Sequence, residues 1–391
     1  MKIKRKAETI LHKFVKGYPV IAITGPRQSG KTTLAKMVFP NKPYVSLEDL
    51  DIRSFAIEDP RGFLAQYPKG AILDEVQRVP ELFSYLQSIV DKEAKMGMFI
   101  LTGSQHFGLL SAITQTLAGR VAMLQLLPFS MQELKSSQSM PVSIEELMFK
   151  GFYPPLYDRD LEASIWLENY IQTYLERDVY QLIKVQDMLN FQKFIRLLAS
   201  YTGQLLNLSN IANDCGISHN TVKAWLSVLE ASYIIHLLRP HHKNFNKRMI
   251  KSPKLYFYDT GLATRLLGIQ NSNQLTNSIH RGALFETLIV SDFIKQSFNK
   301  GLGSNLYFWR DQTGNEVDLL LDYGDHIEPV EIKSSQTINT DFFKGLKRWL
   351  ELAKQEHNSK DKIKKETSML IYAGEETYTR SGVKILSWRD L

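Results

Sequence analysis

A glycine-rich run at residues 25–32 has the residue types and spacing needed to hold phosphate groups. The pattern is G-x-x-x-x-G-K-[ST], and it consists of Gly25, Pro26, Arg27, Gln28, Ser29, Gly30, Lys31 and Thr32, followed by Thr33. In such a loop the backbone N–H groups surround the phosphates, the lysine reaches the β- and γ-phosphates, and the hydroxyl ligates Mg²⁺. The pattern therefore predicts a nucleoside-triphosphate site in which Lys31 and Thr32 contact the phosphates and the metal ion.

Two acidic residues, Asp74 and Glu75, end an apolar run further along the chain. Carboxylates at the C-terminal tip of a strand lie beside the loops where open α/β sheets bind ligands. We predict that Asp74 holds Mg²⁺ through its water shell and that Glu75 polarises the attacking water as a general base. The alternative is a pair of solvated acids at a strand end.

Two further polar residues are candidates for the same chemistry. Ser104, or alternatively Thr102, follows the next apolar run and would hydrogen-bond the γ-phosphate or the attacking water. Arg120 precedes the fifth run and would neutralise γ-phosphate charge in a neighbouring subunit, as an arginine finger does. A surface salt bridge is the alternative for Arg120.

A second set of charged residues lies near the C-terminus, in two strand-like runs joined by Gly324 and Asp325. A two-residue hairpin loop there fixes the register, so Asp318 faces Glu331 and Glu316 faces Lys333. All four side chains point to one face, because residues two apart in a strand share a face.

Opposed carboxylates destabilise a sheet unless a cation lies between them. A divalent ion between Asp318 and Glu331 would remove the conflict, and Lys333 would orient a nucleophilic water or stabilise a phosphorane-like charge. The alternative is that Lys333 only neutralises Glu316 and Glu331 in a surface network.

A third carboxylate, Glu286, lies on the apolar face of a helix predicted over residues 280–298. Burying an unpaired carboxylate costs several kcal/mol. A metal ion would explain its position, and Lys333 or Arg310 would explain it equally well.

The elements that position the first site are strand-like runs at residues 20–24, 44–47, 71–74, 98–102 and 121–126. Helix-like segments separate them, for example residues 31–39 and 81–93. Alternating strands and helices favour an α/β domain with a largely parallel sheet covered on both faces.

The middle of the chain has the rhythm of a helix–turn–helix. Ser209 is predicted to cap a short helix at residues 210–214, Gly216 makes the turn, and Ser218 caps a second helix that ends at Glu230. The apolar face of the second helix is Val222, Trp225, Leu226 and Leu229, whereas His219, Asn220, Lys223 and Ser227 lie elsewhere and are placed to reach a DNA groove.

A stretch without acidic residues follows, from residue 231 to residue 258. Its positive side chains are Arg239, Lys243, Lys247, Arg248, Lys251 and Lys254. A hairpin here would form the wing of a winged helix, and its charge suits phosphate contacts. The alternative is a winged helix that only joins domains or binds protein.

Residues 17–135 together resemble the AAA-type ATPases. The matches are a Walker A loop at residues 25–32, a Walker B segment ending in Asp74 and Glu75, a sensor-like Ser104 and the candidate finger Arg120. The resemblance implies ATP rather than GTP, Mg²⁺, and a helical lid at residues 136–200. In that lid a turn at residues 151–154 would cover the adenine, and Arg177 would be a second candidate for sensing the nucleotide.

The order Glu286, Asp318, Glu331-x-Lys333 resembles the PD-(D/E)xK nuclease-like fold, in which such residues bind Mg²⁺ and cleave phosphodiesters. The whole chain is similar to a bacterial and archaeal family of AAA-type ATPases fused to a winged-helix segment and a nuclease-like domain. The resemblance implies a basic N-terminal helix (1–16), an ATPase core (17–135), a helical lid (136–200), a winged-helix segment (201–255) and an α/β restriction-endonuclease-like domain (256–391). Such a nuclease-like domain either cleaves nucleic acid or is degenerate and only binds nucleic acid or protein.

Composition bounds the setting and the partners. The net charge is +7 with an isoelectric point near 9.1, which favours an anionic partner only weakly. The single cysteine, Cys215, fits a reducing, cytoplasmic setting. No apolar run approaches the ~18 residues of a membrane span, and no signal-peptide core follows the basic start, whose charges are expected on a solvated helix.

Two functions follow from these patterns. The first is an ATPase that engages nucleic acid, DNA rather than RNA, through the winged helix and the C-terminal site. The second is a nucleotide-controlled switch whose C-terminal half binds a protein partner. A homo-oligomer is compatible with both, and membrane contact is expected in neither.

Overall fold

The computed structural model describes residues 3–104, 116–159, 161–179, 188–241, 251–356 and 368–391. Within these residues the chain forms two sheets with helices packed around them. No helix in the described ranges combines the length and apolar character that crossing a bilayer requires.

The N-terminal sheet is parallel and has the strand order β2-β3-β4-β1-β5. Its strands are β1 (Val20–Thr24), β2 (Tyr44–Ser46), β3 (Ile72–Asp74), β4 (Phe99–Gly103) and β5 (Val121–Gln125). Its helices are α1 (Glu8–Gly17), α2 (Lys31–Val38), α3 (Leu50–Glu58), α4 (Pro60–Ala65) and α5 (Leu82–Glu93). All five predicted strands are confirmed, and β1 is buried along its whole length because helices cover both faces of the sheet.

The register of this sheet brings the ends of its strands to one edge. Thr24, the last residue of β1, pairs with Gly103 of β4 and with Gln125 of β5. Asp74, the last residue of β3, pairs with Ser46 of β2. The loops that follow β1, β3 and β4 therefore meet at the same edge.

The N-terminal segment is not the solvated helix start that its charges predict. Arg5 is only 6% exposed and forms an ion pair with the fully buried Glu133, with 3.0 Å between Nε and Oε1. Its other two nitrogens donate to the carbonyl oxygens of Ser29 (2.8 Å) and Leu127 (2.7 Å). The prediction was wrong for Arg5 because a buried carboxylate far along the chain supplies its partner.

Helices dominate the region after β5. They are α6 (Met131–Ser136), α7 (Ile144–Lys150), α8 (Pro155–Asp158), α9 (Ala163–Tyr170), a π-helical segment (Ile171–Val179) and α10 (Met188–Ser200). A helix pair follows, α11 (Leu208–Cys215) and α12 (His219–Ala231). The predicted helical character of residues 136–200 is confirmed in the described part.

The helix pair differs from its prediction at one end. The cap of α11 is Asn207, whose side chain accepts from the backbone N–H of Asn210, and the helix begins at Leu208 rather than after Ser209. Gly216 has φ 68° at the turn, and Ser218 caps α12 by accepting from the N–H of Thr221, both as predicted.

The second sheet is continuous and combines strands from the middle and the C-terminal part of the chain, in the order β13-β14-β12-β11-β10-β9-β7-β8-β6. Its strands are β6 (Gln204–Leu205), β7 (Ile235–Pro240), β8 (Lys254–Phe257), β9 (Leu306–Arg310), β10 (Glu316–Asp322), β11 (Ile327–Lys333), β12 (Met369–Tyr372), β13 (Tyr378–Arg380) and β14 (Val383–Ser387). Its helices are α13 (Thr260–Leu266), α14 (Asn273–Thr276), α15 (Arg281–Asn299) and α16 (Lys344–Glu356). Strand β8 spans the domain boundary predicted between residues 255 and 256.

A buried carboxylate also joins the helical region to the second half of the chain. Asp259 caps α13 by accepting from the N–H of Leu262 and also accepts from the N–H of Phe152 at 2.7 Å. A side chain at Gly151 would collide with this carboxylate, because its Cβ would lie 2.3 Å from Oδ1 of Asp259.

The Arg5–Glu133 pair gives the first prediction. We expect Arg5→Gln to lower the free energy of unfolding by about 3–5 kcal/mol, because it leaves Glu133 charged and buried without its partner. The matched control is Lys4→Gln, since Lys4 is 81% exposed and its pair with Glu8 is on the surface. Urea unfolding monitored by tryptophan fluorescence measures both.

A double variant separates lost charge from lost packing. Adding Glu133→Gln to Arg5→Gln removes the uncompensated charge and should restore part of the loss. An Arg5→Gln protein as stable as the Lys4→Gln control would contradict the assigned role.

Candidate functional site

A cavity of about 350 Å³ opens at the edge where β1 and β3 end. It is lined by the glycine-rich loop and the start of α2, by both acids after β3, by the N-terminal segment and by the turn before α8. The residues are Ile3, Arg5, Arg27, Gln28, Gly30, Lys31, Thr32, Thr33, Leu34, Met37, Glu48, Asp74, Glu75, Phe129, Pro154, Pro155, Asp158 and Arg159. Residues 27–28 and 30–33 of the predicted run thus line one cavity together with Asp74 and Glu75, whereas Gly25, Pro26 and Ser29 are not among the lining residues.

The loop before α2 needs glycine for steric reasons. At Gly25 φ is 145°, and a Cβ there would lie 2.1 Å from the carbonyl oxygen of Leu126. At Gly30 φ is 91°, in the left-handed region that favours glycine, and this residue is the N-cap of α2. The loop therefore directs the N-terminal N–H groups of α2 into the cavity, where they are suited to bind an anion.

The Lys31 ammonium is held inside this loop. It is 6% exposed and donates to the carbonyl oxygens of Gly25 (3.0 Å) and Pro26 (2.8 Å). Burial lowers the pKa of Lys31 to about 8, although the nearby Glu75 and Asp74 oppose that shift. The lysine thus has carbonyl groups, not a carboxylate, as its hydrogen-bond acceptors.

Asp74 is the centre of a hydroxyl cluster. Its carboxylate accepts from Thr32 Oγ1 at 3.0 Å, from the Tyr44 hydroxyl at 2.7 Å, and from Thr102 Oγ1. A hydroxyl and a carboxylate are the oxygen ligands that Mg²⁺ prefers, so Thr32 and Asp74 fit the metal ion of a bound nucleotide. In addition, Ser29 Oγ is buried in this loop with no hydrogen-bond partner among the described residues.

Tyr44 has no role among the residues predicted for this site. Its hydroxyl bonds Asp74, and burial together with that hydrogen bond raises the pKa of Tyr44. Tyr44 begins β2 and pairs with Ile72, two residues before Asp74 in the neighbouring strand, so its nearness to Asp74 is evident only once the strands are aligned. Thr102, the alternative to Ser104, contacts Asp74, whereas Ser104 contacts Glu75.

Glu75 stands at the start of the loop after β3 with φ 53°, a left-handed conformation that is uncommon outside glycine. Its Oε2 atom accepts from Ser104 Oγ at 3.1 Å and from Gln77 Nε2. Glu75 and Ser104, each predicted to act near the γ-phosphate, are therefore in contact with one another. Gln77 was not predicted, because glutamine two residues after an acid carries no recognisable pattern.

Arginine side chains lie near Glu75 around a second cavity. This cavity of about 300 Å³ is lined by Arg27, Arg53, Ile57, Glu75, Gln77, Arg78 and Ser104. Arg27 and Glu75 line both cavities, so they form the wall between them.

Arg120 lies at the opposite edge of the sheet from the loop of its own chain, because β5 starts directly after it and ends level with Thr24. Its guanidinium pairs with Asp91 through two contacts, Nε to Oδ1 at 2.5 Å and a second nitrogen to Oδ2 at 2.9 Å. The structure thus contains the surface salt bridge that was the alternative. A role in a neighbouring subunit stays a prediction.

The helical region after β5, which is where the lid was predicted, contributes prolines to the cavity. Pro154 and Pro155 line it, whereas Phe152 and Tyr153 are fully buried in the protein core and do not. Only the end of the predicted adenine-covering turn therefore reaches the cavity. The side chain of Arg177 lies outside the described part of the chain.

The C-terminal hairpin has the predicted register. Leu319 pairs with Val330 and Asp322 with Ile327, which sets Asp318 opposite Glu331. Lys333 bridges these two carboxylates, with its Nζ 3.1 Å from Asp318 Oδ2 and 2.6 Å from Glu331 Oε1.

Glu286 has a partner that the sequence did not indicate. It accepts from Lys254 Nζ at 2.9 Å and from the Tyr256 hydroxyl at 2.6 Å, both on β8. The predictions of Lys333 or Arg310 as its partner were wrong, and Arg310 pairs with Glu316 instead.

Lys254 was expected on an exposed basic wing and is 3% exposed. The expectation was wrong because β8 is an interior strand of the sheet, and its residues 254 and 256 face α15.

Lys254 lies within a group of carboxylates that is compact enough to hold a metal ion. One oxygen from each of Glu286, Glu316 and Asp318 lies within 4.8 Å of the others. The Lys254 ammonium contacts Glu286 and Glu316 and is 4.0 Å from Asp318. Burial alone would lower the pKa of Lys254, but these carboxylates raise it well above its ordinary value.

These C-terminal residues therefore do not fit a divalent metal ion while Lys254 is in place. An ammonium and a metal ion cannot occupy the same position among the three carboxylates. Glu331, the third predicted ligand, is not part of this group and pairs with Lys333.

The predicted nucleic-acid residues are only partly described. Lys223 on α12 and Lys251 before β8 are exposed, as are His219, Asn220 and Ser227. Lys243, Lys247 and Arg248 lie outside the described residues. The apolar face of α12 is buried as predicted.

Comparison with known families gives three matches along the chain. Residues 17–135 match an AAA domain, which are the residues predicted for the ATPase core. Residues 142–273 match a domain of unknown function (DUF8612), and residues 281–391 match another domain of unknown function (DUF4143). The first of these two runs across the boundaries predicted at residues 200 and 255.

Relatives over most of the chain are uncharacterised proteins of Mycobacterium tuberculosis and Mycobacterium bovis. Each is 30% identical over 338 residues, which cover 85% of this chain and 74% of the relative. Among solved structures, a Walker-type ATPase of Pyrococcus abyssi is similar with a TM-score of 0.44 and 15% identity, over 68% of this chain and 97% of its own. The RuvB Holliday junction branch migration motor of Thermotoga maritima has a TM-score of 0.28 and 17% identity, over 59% and 88%.

The lysine in the loop gives a pH prediction. With a Lys31 pKa of about 8 in the free protein, the ammonium that phosphates require is present below pH 8 and is lost above it. We expect ATP affinity to be flat below that pH and to fall by up to about tenfold per pH unit above it, because binding must then take up a proton.

Isothermal titration with ATP between pH 6.5 and 9.5 measures this dependence. Adenosine, which lacks phosphates, is the matched control and should bind with an affinity that does not change over the range. Constant ATP affinity up to pH 9.5 would contradict the lowered pKa.

Proposed function

We propose a function for this chain, which belongs to the protein family of the two mycobacterial proteins and whose residues 17–135 form an AAA domain. We propose that it binds and hydrolyses Mg-ATP, and that the nucleotide state controls the engagement of nucleic acid by its middle and C-terminal parts. One observation carries the ATPase proposal. Lys31, Thr32 and Asp74 line a single cavity with Glu75, which in turn is bonded to Ser104.

Phosphate binding follows from the loop geometry. The N–H groups at the start of α2 point toward the phosphates, and Lys31 exchanges its carbonyl acceptors for phosphate oxygens. Thr32 and Asp74 would hold the magnesium ion, which when bound neutralises phosphate charge. Ile3, Phe129 and the prolines at the lid offer apolar surface to the base.

Glu75 is proposed to take the proton of the attacking water. Ser104 and Gln77 orient its carboxylate by donating to Oε2, and Arg27, which lines the same cavity, places positive charge near the reacting phosphate. A general base of this kind contributes roughly 10²–10⁴-fold to the rate.

Removing the base should separate binding from turnover. We expect Glu75→Gln to bind ATP normally and to hydrolyse it roughly 10²–10⁴-fold more slowly, because the amide cannot accept the proton. Lys31→Ala should lose ATP binding itself. Steady-state phosphate release and titration with ATP measure the two quantities.

The matched control is Glu58→Gln, at the exposed end of α3. It should change neither quantity. Normal turnover by Glu75→Gln would show that another group is the base.

Nucleic-acid engagement is proposed from the middle of the chain. The order β6, α11, α12, β7, β8, with β6 and β7 flanking β8, resembles that of a winged helix and supports this proposal. The exposed face of α12 carries Lys223 between polar side chains, and Lys251 is exposed next to β8. Such residues suit contacts with a phosphate backbone.

A contact between the loop and this segment supports coupling. Thr24, directly before the glycine-rich loop, shares a hydrogen bond of 2.9 Å with the hydroxyl of Tyr233, which follows α12. The Tyr170 hydroxyl of the lid donates to the carbonyl oxygen of Arg27 at 3.2 Å. A change in the loop on nucleotide binding would therefore move groups attached to both the lid and the helix pair.

We expect duplex DNA to stimulate ATP hydrolysis several-fold at low salt and less at moderate salt. Lys223→Ala and Lys251→Ala should each reduce the slope of log affinity against log salt by about 0.9, because each removes one phosphate contact. Fluorescence anisotropy with labelled DNA measures the slope. Lys16→Ala, an exposed lysine on α1, is the control.

Tyr233→Phe tests the coupling itself. It should leave DNA affinity and basal hydrolysis nearly unchanged while reducing the stimulation. DNA binding with no effect on hydrolysis in the unaltered protein would contradict control by the nucleotide.

The second candidate function is a nucleotide-controlled switch that binds a protein through the same middle and C-terminal parts. The single lysine on the exposed face of α12 favours it, because DNA-reading helices usually carry more positive charge. Hydrolysis that ignores DNA of any length would support this alternative. Cleavage of nucleic acid is not part of either proposal, because Lys254 occupies the cation position of the C-terminal site.

A further inference from the structure

We infer that the ammonium of Lys254 is the cation held by the C-terminal cluster of carboxylates, so that this cluster binds no divalent metal ion. We infer further that the lysine fastens strand β8 to helix α15 and strand β10. The inference does not depend on the proposed ATPase function, since it concerns a separate site on the second sheet.

The position of the ammonium is the first argument. Oxygens of Glu286, Glu316 and Asp318 approach one another within 4.8 Å, which is the arrangement that a bound cation requires. Lys254 Nζ is 2.9 Å from Glu286 and in direct contact with Glu316. The space among the three oxygens is therefore already filled by a positive group of the chain.

Charge balance is the second argument. The cluster contains four carboxylates, those of Glu286, Glu316, Asp318 and Glu331, and three cationic side chains, those of Lys254, Lys333 and Arg310. The chain thus neutralises nearly all of the negative charge itself. A metal ion added to this set would create an excess of positive charge in a largely buried place.

The side chain of Lys254 is also held in its position among the carboxylates. The backbone at Lys254 is in the interior of the sheet, where this residue pairs with Leu238 of β7 and with Leu205 of β6. The side chain is 3% exposed, and its ammonium lies 5.7 Å from the centre of the Phe308 ring. Expelling the ammonium would require the buried side chain to break its contacts with the carboxylates and leave its position beside Phe308.

The contacts also show what the lysine does. Glu286 belongs to α15, whereas Glu316 and Asp318 belong to β10, so one ammonium joins three elements. The neighbouring Tyr256 adds a second bond from β8 to Glu286. Strand β8, which ends the stretch without acidic residues, is thereby attached to the C-terminal region, so the carboxylates there serve as a structural support for β8 rather than as a metal-dependent phosphodiesterase site.

Manganese binding tests the inference directly. The probe is Mn²⁺ added to nucleotide-free protein, with the free ion measured by its electron paramagnetic resonance signal. Any Mn²⁺ bound near Asp74 is cancelled by comparing the unaltered protein with Asp318→Asn. We expect these two proteins to bind the same amount of Mn²⁺.

Lys254→Met supplies the complementary result. Removing the ammonium while keeping most of the side-chain volume leaves three carboxylates without a cation, so the variant should bind one additional equivalent of Mn²⁺. That gain should disappear when Asp318→Asn is added. Lys251→Met, which replaces an exposed lysine nearby, is the control and should gain no ion.

Two results would overturn the inference. One is loss of a bound Mn²⁺ from the otherwise unaltered protein on Asp318→Asn or Glu286→Gln. The other is Mn²⁺-dependent cleavage of DNA that Asp318→Asn abolishes. The comparison of the unaltered protein with its carboxylate variants decides the question even where Lys254→Met fails to fold.

Discussion

A buried charged side chain needs a partner of opposite charge within the protein, and this constraint connects segments of this chain that are distant in sequence. Glu133 is fully buried, and its carboxylate accepts from Arg5, from the backbone N–H of Lys6 and from that of Ser130. The side chain of Asn299, at the end of α15, approaches the same carboxylate at 3.5 Å. One carboxylate therefore brings together the N-terminal segment, the start of α6 and the C-terminal region.

The same interaction reaches the nucleotide cavity. Arg5 holds the carbonyl oxygen of Ser29 in the glycine-rich loop while it neutralises Glu133. The conformation of the loop thus depends on a residue that precedes the first helix. Because an uncompensated buried charge costs several kcal/mol, the N-terminal segment is a structural part of the site and not an appendage.

The features that could be predicted from the sequence are those that local rules determine. The strand–loop–helix order around residues 25–32 and the register of Asp318 against Glu331 each follow from short stretches of chain. The location of Glu75 and Ser104 at the same edge of the sheet follows from one rule of parallel sheets, that ligands bind where the strands end, whereas their direct contact was not predicted.

The contacts that could not be predicted are those made by side chains between distant elements. Arg5 and Lys254 both belong to basic runs, and basic runs are usually solvated. Nothing in the local pattern indicates that Glu133 is buried, and the position of Glu286 on an apolar helix face does not identify Lys254 as its partner. Tyr44 and Gln77 are similar cases, because a tyrosine or a glutamine near an acid carries no signal until the strands are aligned.

The two buried lysines show why one site is open to a ligand and the other is closed. Among the residues that the structure describes, Lys31 donates to carbonyl oxygens and to no carboxylate, and burial lowers its pKa to about 8. A phosphate that enters the loop improves this environment. Lys254 bonds to carboxylates that raise its pKa well above the ordinary value, so its charge is fully compensated. A ligand that reached this site could not improve the environment of the Lys254 ammonium. Displacing the ammonium would leave the surrounding carboxylates without a cation. The acceptors around each ammonium, rather than burial itself, therefore separate a binding site from a structural one.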